Sequence, residues 1–352
     1  MKKIVLYVLA GLVLSTAACA AKKPLNVIFM IGDGMGVDQV YAAMVANGNK
    51  LEMERLSQTG LIKTYSFDNY TTDSGAGGTA LSSGVKTRNG MIGMGPDSVA
   101  VESILQQADR NGMATGIVAS CEVTHATPAS YIAHQVNRNM YQAIAADFLK
   151  TDVDVFIGGG KKHFENREDG RNLLTELEAK GYQLAFDMTA LKNIKGGKVA
   201  GLLYEGHPPA MPERGNFLTD ATMSAIELLD NNKKGFFLMV EGSQIDWAGH
   251  SNNGEVNIAE TLDFDVAVGR VLDYAKKHGN TLVIVTADHE TGGLTLPTGN
   301  ISENRSELKF TSTNHTGTMV PVFSFGPGAE NFSGIYENID FKKKIAQLLQ
   351  LK

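Results

Sequence analysis

Short apolar runs alternate along this chain with stretches whose apolar residues recur every third and fourth position, and that alternation narrows its fold more than any other feature. The runs Asn26 to Ile31, Thr115 to Ala119, Val153 to Ile157, Gly235 to Val240, Thr281 to Thr286 and Pro321 to Phe325 read as buried parallel strands. Between them, Ser98 to Asn111, Met140 to Leu149, Asn172 to Lys180, Leu218 to Asn231 and Val256 to His278 carry helical spacing. A strand covered on both faces needs a continuous apolar run, so the pattern predicts an α/β fold with a mostly parallel central β-sheet flanked by helices on both faces. With 352 residues, 43% of them hydrophobic, the chain has material for a large core. No tandem repeat or Pro-rich linker divides it, so a single domain is expected over 21–352. The glycine groups Gly158-Gly159-Gly160 and Gly196-Gly197 read as turns.

At the start of the chain, Lys2 and Lys3 precede an apolar run from Ile4 to Leu14 and then small residues that include Ala18-Cys19-Ala20. This pattern reads as a secretory signal peptide over 1–20, so export, most simply to a periplasm, is expected. The run is too short for a membrane-spanning helix, which needs roughly 20 apolar residues. Cys19 offers an alternative, a lipid anchor in place of cleavage after Ala20. Past Cys19 only Cys121 remains, so stability has to come from the core and bound metals rather than from a disulfide. A net charge of -6 supplies no basic field for a phosphate backbone, and no nucleic-acid partner is expected.

Open α/β sheets bind ligands beyond the carboxyl ends of their strands. The residues there are acids and histidines: Asp33 after the first run, His125 and Thr127 after Thr115 to Ala119, Glu241, Asp246 and His250 after Gly235 to Val240, and Asp288 with His289 after Thr281 to Thr286. A single Asp in a Gly-Asp-Gly turn is ordinarily a turn residue. Repetition at the same sheet edge is different, because gathered carboxylates repel one another unless cations sit among them. Mixed His and carboxylate ligands suit zinc, and an oxygen-only set suits magnesium. Asp246 and His250, four apart, share a face if a helical turn starts there. Asp288 and His289 are adjacent and can share a metal only from irregular backbone.

A second concentration is Thr71 to Ala80, rich in hydroxyls and glycine around Asp73 and Ser74. Asp and Ser are ordinary N-cap residues, and a helix start also presents free N–H groups to a phosphate. No Gly-Lys-Ser/Thr phosphate loop and no Gly-x-Ser-x-Gly elbow surrounds Ser74. A serine without a local base needs a metal to lower its pKa.

Taken in order, Thr72-Asp73-Ser74 with Ser83-Gly84-Val85-Lys86-Thr87, then Glu241-Gly242 with Asp246 and His250, then Thr286-Ala287-Asp288-His289, then His315-Thr316-Gly317 resemble the alkaline phosphatase family. The resemblance implies a three-layer sandwich that hydrolyses phosphate monoesters through a phosphoserine on Ser74. It also implies a homodimer with two zinc ions and one magnesium ion per chain. Asp246, His250 and His315 would bind the first zinc; Asp33, Asp288, His289 and Ser74 the second. Thr127 and Glu241, with Asp33 and with His125 directly or through water, would complete the third site. Arg138 matches the family's phosphate-gripping arginine, oriented by Asp73. The sequence departs from the best-known bacterial pattern at His125, where Asp is frequent, and at Trp247, where Lys is frequent. The first change opens the third site to zinc; the second removes a cation near the phosphate. The family's crown is expected to be small here, about 290–314.

Two other readings stand beside this one: a phosphodiesterase of the same superfamily, and an exported metal- or phosphate-binding protein without catalysis. His134, His163, His207 and His278 are read as structural or surface residues. Trp247 is read either as core packing or as a substrate contact.

Overall fold

A computed structural model describes residues 26–352; the signal-peptide segment and Cys19 lie outside the described residues. One ten-stranded sheet organises the chain. Its strands are β1 (Asn26–Gly32), β2 (Gln58–Lys63), β3 (Ala114–Glu122), β4 (Val155–Gly159), β5 (Tyr182–Ala185), β6 (Lys198–Leu202), β7 (Phe236–Gly242) and β8 (Thr281–Thr286), followed by Val320–Phe325 and Gly334–Glu337. Across the sheet, Gly334–Glu337 lies beside β2, then come Val320–Phe325, β8, β1, β7, β3, β4, β6 and β5. Every residue of β1, β3, β7 and β8 is buried, as their unbroken apolar runs require. One group of helices, Val37–Ala46, Phe217–Leu229 and Gly254–His278, packs together. A second group joins Ser74–Ser83, Ile104–Arg110 and Asp340–Leu349. Among the described residues, no helix is long and apolar enough to cross a membrane.

Three sequence expectations need correction. Val320–Phe325 is antiparallel to both its neighbours, β8 and β2, whereas Pro321 to Phe325 was expected to run parallel. After β8 the chain stays at the same end of the sheet, in ladders such as Leu294–Thr295 with Lys309–Phe310, so the next strand has to run back. The helix expected from Ser98 starts only at Ile104, where Ser103 forms a capping box with Gln106; Ser98 itself adopts a left-handed conformation, φ 63°. Gly158 and Gly159 lie inside β4 rather than in a turn. A Cβ on Gly159 would stand 2.0 Å from the carbonyl oxygen of Gly206, so close backbone approach explains that glycine.

Arg214 fastens the 206–216 segment to the Gly254–His278 helix. Its fully buried guanidinium donates to Glu260 and, at 2.7 Å, to Asp263. Replacing it with Met leaves two buried carboxyls without their cation, and a loss of about 3–5 kcal/mol in unfolding free energy is expected from denaturant titration.

Candidate active site

The four strands that the sequence marks with acids and histidines are neighbours, in the order β8, β1, β7, β3. Register aligns their carboxyl ends: Ile31 faces Glu241 on one side and Thr286 on the other, and Ala119 faces Glu241. Asp33 follows β1 directly, and its N–H donates to the carbonyl of Gly242 at 3.0 Å. Gly34, at φ +74°, then turns the chain so that its N–H donates to Asp288 Oδ1 at 3.3 Å. A Cβ there would meet the Asp246 Cα at 2.7 Å, so only glycine lets these two segments approach.

Three ligand groups result. Asp246 and His250 lie on the short Gln244–His250 helix, as their spacing requires, and His315 reaches them from the other side. His250 Nε2 is 3.0 Å from His315 Nε2, and both stand 3.4 Å from Asp246 Oδ1. The far ring nitrogens are held by carbonyls, His250 Nδ1 on Thr313 at 2.6 Å and His315 Nδ1 on Thr72 at 2.8 Å. Those bonds orient the Nε2 atoms toward a common point. In the second group, His289 Nε2 lies 3.3 Å from Asp288 Oδ2 and 3.5 Å from Asp33 Oδ1. Asp288 and His289 are on irregular backbone between β8 and Glu290, which lets adjacent side chains converge. The third group joins Glu241, His125 and Cys121, with Thr127 Oγ1 donating to Asp33 Oδ2 at 3.2 Å.

Charge within this cluster is unbalanced without cations. Burial, then Asp288, Asp246 and Glu241, raises Asp33 well above the ordinary carboxyl range. Burial brings Glu241 up to about 7, and burial with the Asp246 charge brings Asp288 to about 6. Asp246 goes the other way: burial opposes its charge, but hydrogen bonds from His250 and His315 hold it well below the usual range. The bond to Asp246 in turn raises His250 to about 9, whereas burial, Arg138 and His207 lower His125 to about 3. Asp33 Oδ1, Asp288 Oδ2, Glu241 Oε1 and His125 Nδ1 are buried without a hydrogen-bond partner. Unpartnered carboxylate oxygens and imidazole nitrogens gathered at one sheet edge are the donor set of a metal centre.

Ser74 is the first residue of the Ser74–Ser83 helix, capped by Asp73, whose Oδ1 accepts from the Ala76 N–H at 2.9 Å. The N-cap reading of this segment is therefore met, by Asp73. Ser74 Oγ lies 3.2 Å from His289 Nε2. The other Asp73 oxygen accepts from Arg138 at 3.0 Å and from the Gly90 N–H at 3.0 Å, so the guanidinium is anchored beside the serine.

A family model described as alkaline phosphatase matches residues 24–303. The chain belongs to the alkaline phosphatase family. Alkaline phosphatase 4 of Bacillus subtilis is 37% identical over 92% of this chain and 88% of its own length. Alkaline phosphatase of Escherichia coli K12 is 32% identical, covering 93% and 86% respectively. The solved alkaline phosphatase of the Antarctic bacterium TAB5 superposes with a TM-score of 0.88 at 42% identity, covering 94% of this chain and 99% of that one. A variant of the TAB5 enzyme with one histidine changed to aspartate has been solved with Mg bound in its M3 site. This alkaline phosphatase is accordingly a metal-binding hydrolase of phosphate monoesters.

Several residues that shape the site carry no signal of their own in the sequence. Thr291 donates to Asp246 and contacts His289 Nδ1 at 3.2 Å; Ser243 donates to Glu241 at 2.6 Å. His207, read as structural, packs edge-on against Trp247 with centroids 4.6 Å apart, and Trp247 in turn lies 5.8 Å from His125. Glu122 holds this corner: it accepts from His163 at 2.9 Å, and its N–H donates to His207 Nδ1 at 3.1 Å. Trp247 is half-buried in that stack of imidazoles. His134 Nδ1 donates to the carbonyl of Gly93 at 2.6 Å and His278 Nδ1 to that of Tyr274 at 2.8 Å, away from the ligand groups.

Proposed function

We propose that Ser74 receives the phosphoryl group of a phosphate monoester at a centre of two zinc ions and one magnesium ion. Asp246, His250 and His315 would hold one zinc and Asp33, Asp288, His289 and Ser74 the other. Asp33, Thr127 and Glu241, with His125, would hold the magnesium, with zinc as the alternative ion there. The observation that carries this reading is the convergence of Ser74 Oγ, the anchored Arg138 and the unpartnered ligand atoms on one sheet edge. When bound, the ions supply Lewis acidity and neutralise charge on the attacking and leaving oxygens.

The chain's own residues do the rest. The helix start would present Ser74 to the phosphorus and its free N–H groups to the phosphate oxygens. Ser74 Oγ gives its proton to solvent and forms the new P–O bond as the P–O bond to the leaving oxygen breaks, that oxygen taking a proton from solvent to depart as the alcohol; water then attacks the phosphoserine, giving inorganic phosphate and returning a proton to Ser74. Arg138, held by Asp73, presents a planar fork to two non-bridging oxygens, and such donors stabilise a transition state most when already in place. The same reading includes an exported, periplasmic homodimer with 1–20 as signal peptide, or a lipid anchor at Cys19. A single catalytic domain over 21–352 is supported by the one sheet that runs from Asn26 to Glu337. The short ladders between Leu294 and Phe310 would be its small crown.

Rates on a monoester and a diester sharing one leaving group test the substrate class. A monoester carries the second charge that Arg138 is placed to meet. Arg138→Ala is expected to lower kcat/KM for the monoester about 100-fold and for the diester by much less. Equal losses, or a wild type that prefers the diester, would contradict the assignment.

A further inference from the structure

The third ligand group contains a residue that the assignment above leaves unused. β3 ends Ser120-Cys121-Glu122, where its register with β4 is irregular, and Ser120 accepts from the Ser243 N–H at 2.8 Å. Ala119, two residues before Cys121, is the register partner of Glu241. The Cys121 thiol lies in hydrogen-bond reach of two acceptors, Glu241 Oε2 at 3.4 Å and the carbonyl of Glu122 at 3.2 Å, and that Oε2 also accepts from Ser243. One atom each from Cys121, His125 and Glu241 lies within 4.8 Å of the others. Cys121 and Glu241 are both 0% exposed, yet Glu241 Oε1 and His125 Nδ1 have no hydrogen-bond partner.

A buried free cysteine is ordinarily a small apolar residue packed among its like. Here it faces a carboxylate and an imidazole. On a tetrahedral zinc, a sulfur at about 2.3 Å and a carboxylate oxygen at about 2.0 Å stand roughly 3.5 Å apart. The 3.4 Å between Cys121 Sγ and Glu241 Oε2, bridged in the metal-free protein by the thiol proton, is close to that spacing.

We propose that Cys121 is itself a ligand of the third ion, together with His125 and Glu241, and that this sulfur makes the site select zinc over magnesium. The inference rests on the three-ion centre proposed above and puts zinc, the alternative given there, in the third site in place of magnesium. Thiolate is a soft ligand that suits zinc and is a poor partner for magnesium, which demands oxygen. The thiol proton passes to solvent as sulfur binds the ion.

Cobalt(II) is the probe, because thiolate bound to cobalt gives a near-ultraviolet charge-transfer band that oxygen and nitrogen ligands do not. Full-length protein reconstituted with three cobalt ions per chain is expected to show the band, and Cys121→Ser or Cys121→Ala to lose it. In equilibrium dialysis, either variant should bind the third zinc at least about ten-fold more weakly, since even outer-shell changes cost about 10–100-fold. Magnesium affinity at the site should not fall. Three bound cobalt ions with no band, or a third zinc held equally tightly in the variants, would overturn the proposal. A protein that turns over phosphate without the band fails this inference alone; a protein that binds no metal at all fails the centre beneath it.

Discussion

Ser74→Ala is expected to lower kcat/KM for a simple aryl phosphate by roughly 10⁴-fold or more while leaving the folded protein intact. Removing a nucleophile that forms a covalent intermediate costs about as much as dismantling the whole catalytic set, because the remaining groups have nothing to act through. The substitution deletes only a hydroxyl. Asp73, not Ser74, caps the helix, so the Ala76 N–H keeps its acceptor and the helix its start. Ser74 is 1% exposed and its hydroxyl contacts His289, so the change also leaves no large surface or cavity behind. Circular dichroism of the metal-loaded variant should match the wild type while phosphate release collapses. A variant that keeps more than about one-tenth of the activity would rule out Ser74 as the attacking group.

Removing the metals is expected to abolish turnover and to change how stability depends on pH. In the metal-free protein Glu241 titrates at about 7 and Asp288 at about 6, and Asp33 is raised as well. Unfolded carboxyls titrate near 4, so between roughly pH 4 and 7 the folded chain binds more protons than the unfolded one. Stability from these groups is therefore fully present below about pH 4 and is lost as pH rises through 6 to 7. Asp246 has the opposite sign: held low by His250 and His315, it contributes stability above its usual range and loses it on acidification. Bound cations offset the repulsion that raises the three carboxyls, so metal-loaded protein should lack the alkaline loss. Thermal unfolding at about pH 5.5, 7 and 8.5, with and without chelator, reads this directly. Midpoints that diverge as pH rises are expected; parallel curves would mean the carboxylates are balanced without ions.

Much of this arrangement was legible from residue types at strand ends. Asp33, Glu241, Asp288 and His125 each follow a continuous apolar run, and such runs in an α/β chain point their carboxyl ends the same way. What local pattern cannot express is which strands touch. That β8, β1, β7 and β3 are contiguous depends on pairings between segments as distant as Asn26 and Thr281. Direction failed for Pro321 to Phe325 for the same reason, since an apolar run reads alike both ways and only the course of the preceding loop decides. The margins of the sheet were also silent. The edge strand Gly334–Glu337 and its neighbour Gln58–Lys63 are part-exposed and polar enough to resemble loop, and the opposite edge, Tyr182–Ala185, is short.

At the site, His250 and Asp246 were legible because a four-residue spacing has a single helical meaning. His315 and Arg138 were placed only by resemblance, because His315 arrives on a two-residue strand, His315–Thr316, and Arg138 on a loop, and tertiary contacts set the path of both. Cys121 had no such signal, because the register of β3 is irregular between Val118 and Glu122 and alternation cannot be carried to its end. His207 had none, and its contact with Trp247 follows from the segment that Arg214 pins to the long helix.

The central claim is that the phosphoryl group passes through Ser74. Metal-loaded protein, mixed with an excess of aryl phosphate and quenched in acid during turnover, should carry a phosphoryl group on the peptide that contains Ser74, and chelated protein should carry none. Steady phosphate release from protein whose Ser74 is never found phosphorylated, with Ser74→Ala as active as the wild type, would contradict the account.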